Sequence, residues 1–253
     1  MIKTTHEFMA GDALKLMKKM PDESVDLIIT DPPFNIGKDY GVYKDNKSPD
    51  EYIEWCKQWI KECIRLLKKH GSLYLFNYPE NNALLLPFIK KNMVFKRWMT
   101  WHYPTNTGHS KSNYTRTQHS IIFATKTKKH KFNRDVVLQP YRNPNDKRIK
   151  ERVKRGINGT APYDVFHFNL VKNVSRDKTP HPCQIPVPLL KIFIKASSDT
   201  GDTVLDPFAG SFSTNAAAKE LGRNSIGIDI NPGYVKIGKE RLSKIRTLEK
   251  FVK

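Results

Sequence analysis

Cysteine is scarce in this 253-residue chain, which has only Cys56, Cys63 and Cys183. Their spacing fits no zinc-ligand pattern and an odd number cannot all pair, so neither a metal centre nor a disulfide framework is expected. A reduced, cytoplasmic setting follows from the same scarcity. Long hydrophobic runs are missing too. The longest, residues 83–89, falls far short of the roughly 20 residues that cross a bilayer. The N-terminal MIKTTHEFMAGDALKL has no signal-peptide apolar segment, so no membrane partner is expected. Two nucleotide signatures are absent, GxGxxG and GxxxxGK[ST], which argues against NAD and ATP. Acid is short as well: 25 Asp+Glu stand against 44 Lys+Arg, a net charge of +19. That excess is beyond what solubility needs at this size and points to a polyanionic partner.

The charge is concentrated. Residues 126–155 hold twelve Lys/Arg and three acids, about half of the net charge. Turn residues interrupt this stretch (NRD, QPYRNPND), and its upstream neighbour HYPTNTGHSKSNYTR is polar, aromatic and basic. Residues 103–178 therefore read as a basic insert between two parts of a core, 1–102 and 179–253. Tyr103, Tyr114, Phe132 and Tyr141 are interleaved with the charge, as stacking on bases requires. Lys126, Lys128, Lys129, Arg148 and Arg152 are the candidate phosphate contacts. Arg116 and His119, at the start of an apolar run, fit either a nucleic-acid contact or a structural bridge. His109 and His130 read as surface residues.

The flanking regions are regular. Val25 to Thr30 is a short apolar run of the kind that forms buried parallel strands. Ser48-Pro49-Asp50-Glu51 has the form of a helix start, and apolar residues at 52, 53, 56, 59, 60, 63, 64 and 67 continue it as one stripe ending before Gly71. Strands are expected at 71–76, 95–101, 120–125, 203–205 and 225–228. Helices are expected at 81–91, 187–196, 214–221 and from Asn231 toward Leu248. Alternating strands and helices imply an α/β fold, an open and mostly parallel sheet with helices on both faces. Ligands of such sheets bind beyond the carboxyl ends of the strands.

Two strand ends carry unusual sequences. Asp31-Pro32-Pro33-Phe34 follows the first run: an acid, two residues with carbonyls but no N–H, and an aromatic ring. Such a set suits a flat heterocycle bearing an amine. Asp31 and the Pro32 carbonyl take its two protons, and Phe34 stacks on the ring. Asp206-Pro207-Phe208-Ala209-Gly210-Ser211 follows a later run, an acid and a glycine-containing loop opening a helix. Asp229 ends the next strand, some twenty residues on, where a ribose diol is usually gripped.

In this order the motifs resemble those of the S-adenosylmethionine-dependent amino DNA methyltransferases. DPPF at 31–34 is similar to their catalytic tetrapeptide, LDPFAGS at 205–211 to their cofactor loop, and HPCQIP at 181–186 to their HPxQKP segment. The catalytic motif precedes the insert and the cofactor loop follows it, the circularly permuted order called the β class. The resemblance implies a Rossmann-like, seven-stranded sheet with one antiparallel strand, and a prokaryote-like intracellular enzyme. It implies transfer of a methyl group to the N6 amine of adenine in DNA, the base being flipped from the duplex. The alternatives are N4 of cytosine and a non-catalytic nucleic-acid-binding paralogue.

By the same resemblance, Asp31, Pro32, Pro33 and Phe34 serve catalysis. Asp12, Ala13, His181, Gln184, Asp206, Phe208, Ala209, Gly210, Ser211, Asp229 and Ile230, with Asp31, line the cofactor site. Tyr234 reads mainly as packing, though within reach of the cofactor adenine. A cognate restriction endonuclease and a second copy of the chain are partners the family offers. Three positions depart from its pattern: Phe212 where glycine is usual, Ile185 for lysine and Phe34 for tyrosine. Phe212 is expected to disturb a tight turn beside the cofactor.

Overall fold

The computed structural model describes residues 4–104, 111–172 and 178–245, so His109 lies outside the described residues. The chain starts earlier than its strongest patterns suggest, with strand β1 (His6–Ala10) and a short helix α1 (Ala13–Met17). Asp12 caps that helix by accepting from Lys15 N at 2.8 Å. Strand β2 (Val25–Thr30) is buried at every position, the signature of a strand covered on both faces. Helix α2 (Pro49–Leu66) starts with the expected capping box of Ser48 and Glu51, and buries the stripe from Tyr52 to Leu66. It stops one residue before the apolar stripe does. Leu67 is already extended and opens strand β3 (Leu67–Asn77), because it pairs with Val25 across the sheet.

Helix α3 (Pro79–Asn92) leads to strands β4 (Val94–His102) and β5 (Gln118–Thr125). A 3-10 turn at Arg134–Val137, helix α4 (Lys147–Lys154) and the three-residue strand β6 (Val165–His167) come next. The chain then runs through α5 (Val187–Ser197), β7 (Thr203–Asp206), α6 (Ser213–Glu220), β8 (Asn224–Asp229) and α7 (Pro232–Ser243). Helix α7 closes at Ser243, short of Leu248, which lies outside the described residues.

The strands form one sheet in the order β1-β8-β7-β2-β3-β5-β4-β6. Only β5 runs against its neighbours. Seven strands give the expected mostly parallel sheet, and β6 adds an eighth at the edge beside Thr100–His102. The stretch taken from its composition as an insert thus supplies two strands, and β5 sits well inside the sheet. Alternate residues face opposite layers, as strand geometry dictates. Leu73 and Leu75 pack on the α2 side, with Trp59 and Ile60. Tyr74 and Phe76 pack on the α5 side, with Phe193 and Leu190. No helix among the described residues is long and apolar enough to cross a membrane.

Candidate active site at the carboxyl edge of the sheet

Parallel strands put their carboxyl ends on one edge, and the reversed β5 brings its start to that same edge. Gly11, Asp31, Tyr78, Asp206 and Asp229 therefore cluster with His119, although they are scattered along the chain. The connections from β2 and β7 diverge to opposite sides of the sheet, which opens a crevice between their ends. Asp31 and Asp206 sit at that crevice and line one cavity with Asp12, Ala13, Pro32, Pro33, Phe34, Phe208, Ala209, Gly210, Ser211, Asp229, Ile230 and His181.

The loop after β2 is held from beneath by side chains. Tyr52 of α2 donates its hydroxyl to Pro33 O at 2.8 Å, and Asn77 donates to that hydroxyl at 2.8 Å. Asn81 spans Phe34 O at 3.0 Å and Asn77 Oδ1 at 2.9 Å. The Pro33 and Phe34 carbonyls are thus engaged by the protein. Asp31, in contrast, has a buried Oδ1 with no hydrogen-bond partner among the described residues. Burial, with the Asp206 carboxylate nearby, pushes its carboxyl up to about 8. Asp206 accepts from Phe208 N at 3.1 Å. Burial takes it up to about 7; Thr214 and Phe208 N pull it back, and Asp229 adds to the rise.

The loop after β7 works through backbone. Asp229 accepts from Gly210 N at 2.9 Å and Asn231 N at 2.8 Å, tying the loop to the end of β8. Gly210 has φ +48°, and a Cβ there would meet His181 Nε2 at 2.7 Å, so glycine is required. The turn at Phe212 closes without the glycine usual there. Phe212 itself takes the left-handed conformation (φ 56°, ψ 33°) and caps α6. Its fully buried ring enters a slot left by two glycines, since a Cβ on Gly227 or Gly238 would approach it to 2.5 and 2.4 Å. Phe8 closes the slot at 5.5 Å between ring centroids.

Several candidates from the sequence lie elsewhere. Gln184 is buried but does not line the cavity. Its Oε1 accepts from Thr179 N and Oγ1, holding the HPCQ segment in shape. Lys126, Lys128 and Lys129 fall at the opposite edge, because β5 runs backwards and ends there. Lys126 donates to Leu67 O and Arg65 O and pairs with Glu23, a structural role. Arg148 and Arg152 stand on α4, which buries none of its residues. Arg148 pairs with Asp146, and Arg152 donates to the Tyr141 hydroxyl at 3.1 Å. Arg116 bridges to Glu80 and lies over the Tyr78 ring, while His119 lines the cavity. Of the aromatics expected to be free for stacking, Tyr114 is 97% exposed but Tyr103 is buried.

Tyr234, which the sequence assigned mainly to packing, lines the cavity and meets His181 edge-on at 4.7 Å. Other residues that line the cavity escaped the sequence reading. Lys38, Tyr40 and Tyr43 reach it from the strap after Phe34, which Asp45 buckles by accepting from Asn35 N and Ile36 N, both at 2.9 Å. Only the short spacing of Lys38, Tyr40 and Tyr43 behind the DPPF motif hinted at them.

Comparison with known proteins agrees with this geometry. The N6/N4 methyltransferase family model, described as DNA methylase, matches residues 25–240. Type II methyltransferase M.HpaI of Haemophilus parainfluenzae is 38% identical, over 92% of this chain and 73% of its own length. DNA adenine methyltransferase YhdJ of Escherichia coli is 39% identical, over 92% of this chain and 81% of its own. Among solved structures, the cytosine-N4-specific PvuII DNA methyltransferase superposes with a TM-score of 0.73 at 20% identity, covering 99% of this chain and 89% of that one. That likeness is one of fold. The DPPF and DPFAGS segments share one cavity at the crevice of the sheet, and the chain belongs to the N6/N4 DNA methylase family.

Proposed function

We propose that this enzyme methylates the N6 amine of adenine in DNA with S-adenosylmethionine as donor. The observation that carries the reading is Asp31: a buried carboxyl oxygen without a partner, beside Phe34 and across the crevice from Asp206. The cavity fits the cofactor's chemistry. Asp31, Asp206 and Asp229 face it, and none has a cationic partner among the described residues, so a positively charged ligand is favoured there. S-adenosylmethionine, when bound, supplies an electrophilic methyl group on a sulfonium. Asp206, Phe208, Ala209, Gly210 and Ser211 would hold its methionine and ribose side, and Asp229 the ribose hydroxyls beside Ile230.

The chain's own residues prepare the nucleophile. An exocyclic amine is weakly nucleophilic because its lone pair is delocalised into the ring. Asp31 and the Pro32 carbonyl accept its two protons, favouring a pyramidal nitrogen whose lone pair is free to attack. The proton released on methylation leaves through the ionised Asp31 carboxylate, the form that a positively charged sulfonium beside it would favour. Phe34 stacks on the base, and the Tyr52, Asn77 and Asn81 bonds keep the loop from shifting. Asp at the head of the motif and the likeness to an adenine methyltransferase support adenine over cytosine. The basic surface of α4 supports phosphate contact by Arg148 and Arg152. A cognate endonuclease is the partner this proposal adds.

The test is incubation with S-adenosylmethionine and mixed-sequence duplex DNA, followed by digestion and mass spectrometry of the nucleosides. N6-methyladenine is expected. N4-methylcytosine would overturn the base assignment, and no methylated nucleoside on duplex, single-stranded or RNA substrates would overturn the reaction.

A further inference from the structure

Beyond Phe34 the cavity wall is largely aromatic, and His119 stands within it. His119 meets four rings edge-on: Phe34 at 5.1 Å, Trp101 at 5.2 Å, Tyr103 at 5.3 Å and Tyr78 at 5.6 Å. Its Nδ1 is buried with no hydrogen-bond partner among the described residues. A buried polar atom left unpaired in a folded protein calls for an explanation, and His119 is one of the residues that line the cavity. Burial, aided by the Arg116 charge, pushes the imidazole down to about 4. His119 is therefore neutral near pH 7, with one N–H donor and one acceptor. Arg116 does not compete for that role, because Glu80 holds its guanidinium at 2.7 and 3.2 Å over the Tyr78 ring.

We propose that His119 determines which bases the site accepts, by donating a hydrogen bond to the unprotonated ring nitrogen beside the target amine. The inference rests on the base-methylation reading above. Asp31 and Pro32 O accept, and so demand an amine. On adenine and cytosine the amine is flanked by a ring nitrogen with a free lone pair. On guanine and thymine the matching positions are a carbonyl oxygen and a protonated nitrogen. One acceptor pair and one donor thus admit the amino bases and leave keto bases with opposed donors and opposed acceptors. Such a mismatch rejects far more strongly than a difference of shape. The flat aromatic surroundings supply stacking to any base and no choice among them.

Three properties are measured for His119→Phe and His119→Gln beside the unaltered enzyme: methyl transfer to mixed-sequence duplex DNA, S-adenosylmethionine affinity by calorimetry, and thermal unfolding. For His119→Phe, kcat/KM for DNA is expected to fall about 30-fold or more, the order of a lost bond to a buried polar partner. Its cofactor affinity is expected to hold, and its melting temperature to stay or rise, since an unpaired nitrogen leaves an aromatic box. His119→Gln, which restores a donor, is expected to recover part of the rate. Undiminished transfer by His119→Phe overturns the proposal, as does a loss matched by equal losses of cofactor affinity and stability. Both of those outcomes leave the methylation reading intact. An unaltered enzyme that methylates no nucleic acid removes that reading, and this proposal with it.

Discussion

Strand β2 has a buried carboxyl near each end, and the two are treated oppositely. At the amino edge Asp26 accepts from Lys68 Nζ at 2.9 Å, His70 Nε2 at 2.9 Å and Thr203 N at 2.9 Å. Burial pushes it up, but these donors win and hold it below the usual carboxylate range. It stitches β2, β3 and β7 together. At the carboxyl edge Asp31 has no donor on Oδ1, a second acid across the crevice, and a pKa pushed up to about 8. Both residues are aspartate; Asp26 is buried as a whole, and Asp31 is half-buried with one carboxyl oxygen enclosed. The difference lies in whether the protein completes their hydrogen bonding or leaves it incomplete at a cavity, and it is the ground for proposing a structural role for one acid and a catalytic role for the other.

Breaking the functional end should have the largest effect. Asp31→Ala is expected to lower methyl transfer about a thousandfold or more, with cofactor affinity by calorimetry largely kept. At the structural end Asp26→Asn should leave turnover per folded molecule unchanged. It is expected to cost about 3 kcal/mol, or about 6–12 °C in melting temperature, because Lys68 loses its counter-charge and an amide offers one acceptor oxygen where the carboxylate offered two.

The pH dependence of stability separates the two ends further. Asp31 binds its proton more tightly folded than unfolded. Its contribution is present below the unfolded pKa and is lost as pH rises toward about 8. Asp31→Asn should therefore gain on the unaltered enzyme as scanning calorimetry moves from about pH 5 to about pH 9. Asp26 has a lowered pKa, so its contribution exists above the unfolded value and disappears in acid. The deficit of Asp26→Asn should shrink below about pH 4. The smallest effect is expected from the lysines at the amino edge. Replacing Lys128 and Lys129 by alanine should leave the salt dependence of DNA affinity unchanged, where each lost phosphate contact would lower the slope by about 0.9.

How much of this was legible follows from the range of the interactions. Local rules were enough for the helix starting at Ser48, whose cap, proline and apolar stripe all lie within a few turns. The DPPF and DPFAGS motifs were legible because adjacent residues act together there. The stop of α2 at Leu66 was not, since it depends on pairing between Leu67 and Val25, far apart in sequence. Lys126 looked like a phosphate contact because composition ignores direction. Only the reversal of β5 shows that it faces away from the cavity. Tyr78 and His119 reach the site through strand order, and neither stands in a motif.

Phe212 constrains the order in which this sequence can change. The ring fills the space that Gly227 and Gly238 leave open, so any side chain at either glycine collides with it. Returning position 212 to glycine would relax the backbone but leave a void the size of the ring between β8 and α7. The three positions form one unit of inheritance: a first step at any of them is costly, and only a paired change elsewhere in the unit makes it tolerable. A loop that lines the cavity has thereby become tied to the surface helix behind it, and a homologue with a bulkier residue at 238 should carry a small one at 212.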